Sequence, residues 1–503
     1  MASSLTKDAE PQETPGDGKT FFGHPRGLAT LFMTEMWERF SWYGMRALLT
    51  LYLIAAVLDG PLQDREALAA AIYGVYNALV YMLAMPGGWI ADRLWGARKS
   101  VLVGGIVIAA GHFVLAIPST ATFFVGLLMI AIGTGLLKPN ISAMVGGLYQ
   151  GSSSARRDAG FTLFYMAINL GGFAAPLVVG YLGEQVDWHL GFAVAGIGMT
   201  FAVVQYVLGG RHLGDIGKLP ASPATPEEKR SVLRKVLMWS AIAVVAVAGD
   251  VVLGTFDIEH LVNVMAVLGV VVPIIYFVVM FRSPSLTAEE RPKIKAFMWF
   301  FITAVLFWMI YEQSGSLLTI FADTKTDRMI GGWEFPASWY QSVNPAYIII
   351  LVPIFASGWV WLAKRNREPS TVTKFALAML LVGGSFGIMG LAGAAAANSD
   401  TGKVTIFWLL GVYLVQTLGE LCLSPVGLSL STKLAPAQFI SQIMGLWFLA
   451  QATGNALNGW TTKLNAPMGD AAYYTMWAVI AGVAGVAFLL ASKKIRVLMG
   501  NVR

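Results

Sequence analysis

Long apolar runs recur along the whole chain, separated by short polar segments. A helix needs about 20 mostly apolar residues to cross a ~30 Å hydrocarbon core. Fourteen runs qualify, at about 27–58, 66–91, 98–117, 120–147, 157–182, 188–209, 233–254, 261–281, 293–322, 336–363, 373–394, 403–432, 437–460 and 472–492. Several exceed the minimum, which implies tilt or helix continuing past the bilayer. The runs group as six, two and six. Between the first six and the pair lies a polar stretch with Pro220, Pro223 and Pro226; after the pair comes a basic linker with Pro284 and Pro292. The expected organisation is a tail at 1–26, a six-helix bundle at 27–214, a linker with an extra hairpin at 215–290, and a second bundle with a short tail at 291–503. The hairpin holds little charge, Asp250 near its outer end being the main instance, which suits a peripheral place.

Composition agrees with an all-α membrane protein. Of 503 residues, 56% are hydrophobic and only 13% charged, against roughly 25% charged in soluble domains. A soluble protein of this length needs a polar shell that this chain cannot supply. The single cysteine, Cys422, excludes an internal disulfide framework and a cysteine metal site. The five histidines show no i,i+4 pairing, which argues against a histidine metal site. The tail before His24 is polar, lacks the features of a secretory signal, and reads as a short disordered cytoplasmic segment.

Charge placement sets the orientation. With the N-terminus inside, inner segments hold 27 of the 35 basic residues, and outer loops hold Arg65, Lys325, Arg328, Lys403 and Lys463. This positive-inside bias puts both termini in the cytoplasm and accounts for the net charge of +6 without a nucleic-acid partner. The other three basic residues, Arg39, Arg46 and Lys138, lie within spans, as do four acids: Glu35, Glu38, Glu312 and Glu420. A charge in the bilayer interior costs several kcal/mol unless paired or solvated, so each of the seven is a functional candidate.

The first span carries four of them. At about 100° per residue, Glu35, Glu38, Arg39, Trp42, Tyr43 and Arg46 share an arc of about 140°. Glu35 and Arg39 are spaced i,i+4 for an ion pair. A static stitch between helices is the plain alternative. Lys138 and Glu312, alone on different spans, are natural partners whose pairing would close one side of a cavity. Tyr73, Tyr76, Asn77 and Tyr81 form a stripe, and Tyr165 with Asn169, Tyr340 with Asn344, and Trp447 with Gln451 and Asn455 lie on other spans. Each alone fits helix packing; together they outline a polar cavity drawing on both bundles. Pro86, Pro139, Pro176, Pro345, Pro353 and Pro425 interrupt spans and provide hinges.

The loop Gly87-Gly88-Trp89-Ile90-Ala91-Asp92-Arg93-Leu94-Trp95-Gly96-Ala97-Arg98-Lys99 resembles the cytoplasmic loop motif of the major facilitator superfamily. Glu35-x-x-Glu38-Arg39-Phe40-Ser41-Trp42-Tyr43-Gly44 resembles the E-x-x-E-R-F-x-Y-Y-G motif of proton-dependent oligopeptide transporters. Phe164-Tyr165-Met166-Ala167-Ile168-Asn169-Leu170-Gly171 is similar to that family's F-Y-x-x-I-N-x-G motif, and Lys138-Pro139-Asn140 also matches. The likeness spans about residues 27–495 and includes the inserted hairpin. It implies the major facilitator fold, two six-helix bundles plus a two-helix hairpin, and a proton-coupled symporter importing di- and tripeptides across a bacterial cytoplasmic membrane. The coupling ion would be the proton, with no other cofactor, no catalytic residue and no obligate protein partner.

The resemblance assigns roles by position. Glu35, Glu38, Arg39 and Glu312 would couple proton movement to transport. Arg46 and Lys138 would meet the peptide carboxylate, and Glu420 with Asn169 and Asn344 its amino end. Tyr43, Tyr81, Tyr165, Trp308, Ser424 and Trp447 would shape side-chain pockets. Glu312 would gate with Lys138 or Arg46, and Asp92 with Arg93 would act at the loop. Trp42 stands where the family usually has Tyr, a change expected to alter a side pocket rather than coupling. Other readings are the same scaffold with another substrate, such as nitrate or a drug-like anion, and a membrane-embedded enzyme. The chain shows no nucleophile–base pair or phosphate loop for the latter, and a channel would need charges in rings.

Overall fold

The computed structural model describes residues 20–500 apart from positions 256, 285, 437 and 438; most of the expected cytoplasmic tail lies outside the described residues. Among those residues the chain forms fourteen long helices: α1 (Arg26–Tyr52), α2 (Leu62–Ile90), α3 (Ala97–Leu115), α4 (Thr120–Gly147), α5 (Ser154–Ala175), α6 (Trp188–Gly209), α7 (Pro226–Val252), α8 (Ile258–Arg282), α9 (Glu290–Tyr311), α10 (Val343–Lys364), α11 (Thr371–Ala397), α12 (Phe407–Leu434), α13 (Ile440–Thr461) and α14 (Asp470–Leu490). Thirteen are long and apolar enough to cross a membrane. The fourteenth, α13, has the length but carries Gln442, Gln451, Asn455 and Asn458, so its polar face must turn inward. Successive helices alternate in direction. The side where α1 begins is called the near side here, and the side where it ends, the far side.

Two apolar cores form. One joins α1 to α6 around residues such as Leu48, Phe123 and Phe192; the other joins α9 to α14 around Phe300, Phe375 and Phe386. Helix α8 packs over the seam between them, with Val262 and Met265 against Ala71, Val75 and Ala456. The Thr453 hydroxyl donates to the Gly269 carbonyl at 2.8 Å, and Trp460 Nε1 to Asn263 at 2.7 Å. Helix α7 lies outermost, with the apolar window of its span wholly exposed. The hairpin is therefore peripheral, as its low charge suggested.

Without a hydrophobic drive between helices in lipid, close packing through small residues holds them together. A Cβ on Gly87 of α2 would lie 2.0 Å from the Gly135 carbonyl oxygen of α4, and one on Gly135 would lie 2.7 Å from that of Leu83. Glycines 104, 111, 126 and 133 make the same close approach between α3 and α4.

Two predicted spans are not continuous. The run at 293–322 is helical to Tyr311, then tightens into a 3-10 turn at Glu312–Gly315 before a short helix at Leu317–Thr324. The run at 336–363 starts as a 3-10 segment at Ala337–Ser342. Between them lies a strand pair, Met329–Ile330 with Trp333–Glu334, turning on Gly331 and Gly332, both at positive φ (59° and 84°) as tight hairpin turns require.

The backbone approach at Gly87 yields a direct test. Gly87→Ala must move α2 off α4, and overpacking of this kind costs about 1–3 kcal/mol. Its unfolding midpoint in detergent is expected to fall, whereas Gly482→Ala, where a Cβ meets nothing within 4 Å, is expected to leave it unchanged.

Candidate functional site

The charged residues of α1 form two clusters about two turns apart. In the nearer one, Arg39 holds Glu38 with two hydrogen bonds, Nε to Oε2 at 2.5 Å and Nη2 to Oε1 at 2.7 Å. Glu35 takes the i,i+4 position at 3.3 Å from Arg39 Nε. The tighter pair is thus Arg39 with its sequence neighbour, and the expected i,i+4 pair is the looser one. All three side chains are buried, and Glu35 Oε2 has no hydrogen-bond partner. One arginine meets two carboxylates, and the charge of Lys138 also acts on Glu35.

The second cluster crosses between the bundles. Arg46 Nη2 lies 3.0 Å from Glu312 Oε2 and 3.3 Å from Ser314 Oγ. Its Nε donates to the Tyr73 hydroxyl, and Gln451 donates to the other Glu312 oxygen at 2.7 Å. The 3-10 turn makes this possible. Unwinding at Glu312–Gly315 frees backbone carbonyls that polar side chains of other elements reach. The Ser314 carbonyl accepts from Gln341 at 2.6 Å and from Thr319 at 3.0 Å, and the Gly315 carbonyl accepts from Thr50 at 2.8 Å. Gly315 is needed because a Cβ there would lie 1.9 Å from the Tyr73 hydroxyl.

Lys138 does not pair with Glu312, contrary to the expectation from their isolation in sequence. Its ammonium lies 4.4 Å from the Tyr81 ring centroid, and Arg46 takes Glu312 instead. Arg46 reaches across from α1, while the charges of Arg39, Glu38 and Glu35 act on Lys138. Trp42 is buried. Its ring lies 5.3 Å from the Arg39 guanidinium and 5.2 Å from that of Arg46, between the two clusters.

The second bundle supplies an acidic end. Glu420 accepts from Tyr311 at 2.6 Å and from Asn344 Nδ2 at 3.1 Å, and Asn344 also donates to Thr417 at 2.9 Å. Tyr311 was not among the residues singled out. Its only sequence signal was its place one residue before Glu312. Asn169 donates to the Tyr165 carbonyl on its own helix at 2.9 Å, not to Glu420. Ser424, one turn beyond Glu420, has a buried hydroxyl with no partner. Trp308 stands edge-on to Tyr311 at 5.3 Å, and Tyr43 lies 5.8 Å from the Arg46 guanidinium. Trp447 packs against Gly427, where a Cβ would collide with its ring, and against Phe375. Asp92 and Arg93 lie away from this cavity. Arg93 pairs with Glu228 at 2.8 Å, and the Asp92 and Arg93 carbonyls accept from Ser222 and Ala224, so this turn ties down the linker before α7.

Hydrogen bonds that join the two bundles on the far half are those of Arg46 and Thr50, Gln63 to Ala466, Glu184 to Ala337 and Ser338, Trp339 to Leu177, and Ser342 to Phe173. These contacts latch the far side.

Two helix bundles joined across a buried polar seam by an ion pair and hydrogen bonds define a multi-pass membrane transporter of the major facilitator fold, not an enzyme. The profile of the POT family matches residues 98–476, and the chain belongs to that family. It is 42% identical to a di-/tripeptide transporter of Lactococcus lactis subsp. cremoris, over 96% of this chain and 98% of that protein. It is 39% identical to a peptide transporter of Yersinia enterocolitica, over 89% of each. Among solved structures, a peptide transporter in complex with sulfate superposes with a TM-score of 0.90 at 44% identity, covering 96% of this chain and 97% of that one. A POT family transporter in complex with 5-aminolevulinic acid superposes with a TM-score of 0.89 at 38% identity, covering 95% and 98%.

Each cation–π contact of Trp42 is worth about 0.5–2 kcal/mol. Trp42→Leu is expected to lower the unfolding midpoint in detergent, and Trp42→Tyr to restore most of the loss. Equal midpoints for the two variants would show that the ring does not bind the guanidinium groups.

Proposed function

We propose that this protein is a proton-coupled symporter that imports di- and tripeptides across a bacterial cytoplasmic membrane, with both termini in the cytoplasm. The observation that carries the reading is the division of charge across the cavity. The cations Arg46 and Lys138 belong to the first bundle. The carboxylate Glu420, with Tyr311 and Asn344, belongs to the second. A short peptide is a zwitterion with fixed ends and a variable middle. Held by both ends, it bridges the bundles and draws them together while its side chains go unread by charge. A lone anion such as nitrate leaves Glu420 nothing to hold. The neighbour bound to 5-aminolevulinic acid has a ligand with the same two kinds of end group.

The proton acts on the latch. With Glu312 ionised, its pair with Arg46, 3.0 Å apart, holds the far side shut. Protonation from the far side removes the charge that Arg46 binds and frees the guanidinium for the peptide carboxylate. The far side then opens, peptide enters, and the bundles rock about the occupied cavity. On the near side the proton leaves, Arg46 returns to Glu312, and the peptide loses a cation. Glu35, with its free oxygen, and Glu38 with Arg39 carry a second proton-responsive cluster, and Trp42 joins the two. Asp92 and Arg93 act on the near side by fixing the linker. The inward potential adds ~2.3 kcal/mol per charge per 100 mV.

The test is uptake of a labelled dipeptide into proteoliposomes under an imposed pH gradient and potential, with and without a protonophore. Uphill accumulation that the protonophore abolishes is expected; its absence overturns the proposal. Glu312→Gln is expected to lose uphill accumulation yet keep peptide counterflow. Undiminished uphill uptake in that variant removes Glu312 from coupling. Glu420→Gln loses a charge-assisted contact worth about 1.5–3 kcal/mol, so KM for a free dipeptide should rise about tenfold or more. For an N-acetylated dipeptide, which has no ammonium, the same substitution is expected to change KM little.

A further inference from the structure

The Arg46–Glu312 pair is one closure of the far side, and a separate one lies on the flank between α10 and the helical run that continues α5 through Pro176–Gly180 and Tyr181–Gln185. The residues 173, 177, 180 and 184 follow one helical face, and each meets the 3-10 segment Ala337–Ser342 that leads into α10. The Glu184 carboxylate accepts from two successive backbone N–H groups, Ala337 at 2.8 Å and Ser338 at 2.9 Å. Trp339 Nε1 donates to the Leu177 carbonyl at 3.2 Å, and Ser342 Oγ to that of Phe173 at 2.7 Å. At Gly180 the two segments touch so closely that a Cβ would lie 2.0 Å from Ser338 Oγ. No other close packing between the bundles combines a carboxylate with unpaired N–H groups at the start of a helical segment among the described residues. A carboxylate with two N–H donors is a charge-assisted contact, about twice as strong as a neutral one.

We propose that Glu184 is a second far-side latch, which must release together with Arg46–Glu312 before the far side opens. When the far side opens, α5 and the segment before α10 must part, because they belong to opposite bundles. The four contacts cannot survive that motion. The charge of Glu184 makes its own contact the strongest of them, and protonation would weaken it. The ionisable groups facing it across the adjoining ≈260 Å³ cavity are Glu66 on α2, Asp323 on the short helix at Leu317–Thr324, and Arg328 and Glu334 beside the strand pair. Arg328 is occupied by Asp323 at 2.8 Å and Glu334 at 3.0 Å. Its single charge is shared between those two acids, and the direct hydrogen bonds to Glu184 come from the backbone donors. The open far-side cavity next to it gives protons from that side a route to the carboxylate.

This inference rests on the transport reading only for its purpose; its measurement needs no substrate, so the two can fail separately. The full chain, with Cys422→Ser, is spin-labelled at Asp59→Cys and Asp400→Cys, exposed far-side loop positions in opposite bundles, and the label distance is measured in lipid nanodiscs by pulsed electron resonance. Glu184→Ala, which breaks the latch, is expected to add a longer-distance population, and Glu184→Gln, which keeps one acceptor but no charge, a smaller one. Gly180→Ala leaves the carboxylate in place but wedges the two segments apart, and is expected to lengthen the distance as well. Lowering the pH is expected to lengthen it less in Glu184→Gln than in the parent. Unchanged distances in both Glu184→Ala and Gly180→Ala, with each variant still folded by its unfolding midpoint, overturn the proposal. Lengthening in Gly180→Ala alone also overturns it, since packing and not the carboxylate would then hold the gate. An identical pH response in Glu184→Gln and the parent removes the proton-sensitive part.

Discussion

The architecture depends on one buried ion pair, Arg46 with Glu312, formed between helices that belong to different bundles. Removing two charges from water costs several kcal/mol per ion, and only good geometry with further hydrogen bonds offsets it. Here Tyr73, Ser314 and Gln451 supply those bonds. The pair therefore does more than attract. Separating the bundles with both groups charged leaves two buried ions exposed to a poor solvent. Removing the charge by protonation avoids that cost. In the proposed mechanism, this is how one proton would bias the fold between two arrangements.

Several local features follow from the need to place this pair. The 3-10 turn at Glu312–Gly315 puts a carboxylate and freed carbonyls at the interface, where a regular helix would have used those carbonyls internally. Gly315 leaves room for the Tyr73 ring. Gln313, buried on the same turn, is met by the Tyr473 hydroxyl at 3.0 Å, so the polar turn is satisfied from α14 as well. Away from this seam the bundles are rigid, because glycine-to-backbone packing such as Gly87 against Gly135 leaves no slack. Rigid bodies joined by a few breakable polar contacts suit rocking motion better than gradual deformation.

The intramembrane charges were readable from sequence because hydrocarbon makes them rare. Five of the seven, Glu35, Glu38, Arg39, Arg46 and Glu312, are buried and ion-paired. Their partners were less readable. Spacing along one helix pointed to Glu35 with Arg39, a pair that forms, and Glu38 adds two shorter bonds to the same guanidinium. Isolation pointed Lys138 at Glu312, but Arg46 takes that carboxylate. Trp42, on one arc with Arg39 and Arg46, lies close to both guanidinium groups. Tyr311 carried no signal beyond its place beside Glu312, and Glu184 none beyond being an acid near a span end.

The sequence by itself determined the solvent, the number of crossings, the balance of charge between the two sides and the seven costly groups. These are one-dimensional quantities, set by run length and by the free energy of placing each residue in lipid. Only the tertiary structure decided which cation meets which acid, where the ninth helix breaks, and which side is closed. Those depend on the depth and rotation of helices far apart in the chain. Packing between glycine faces sets that geometry, and no local pattern encodes it.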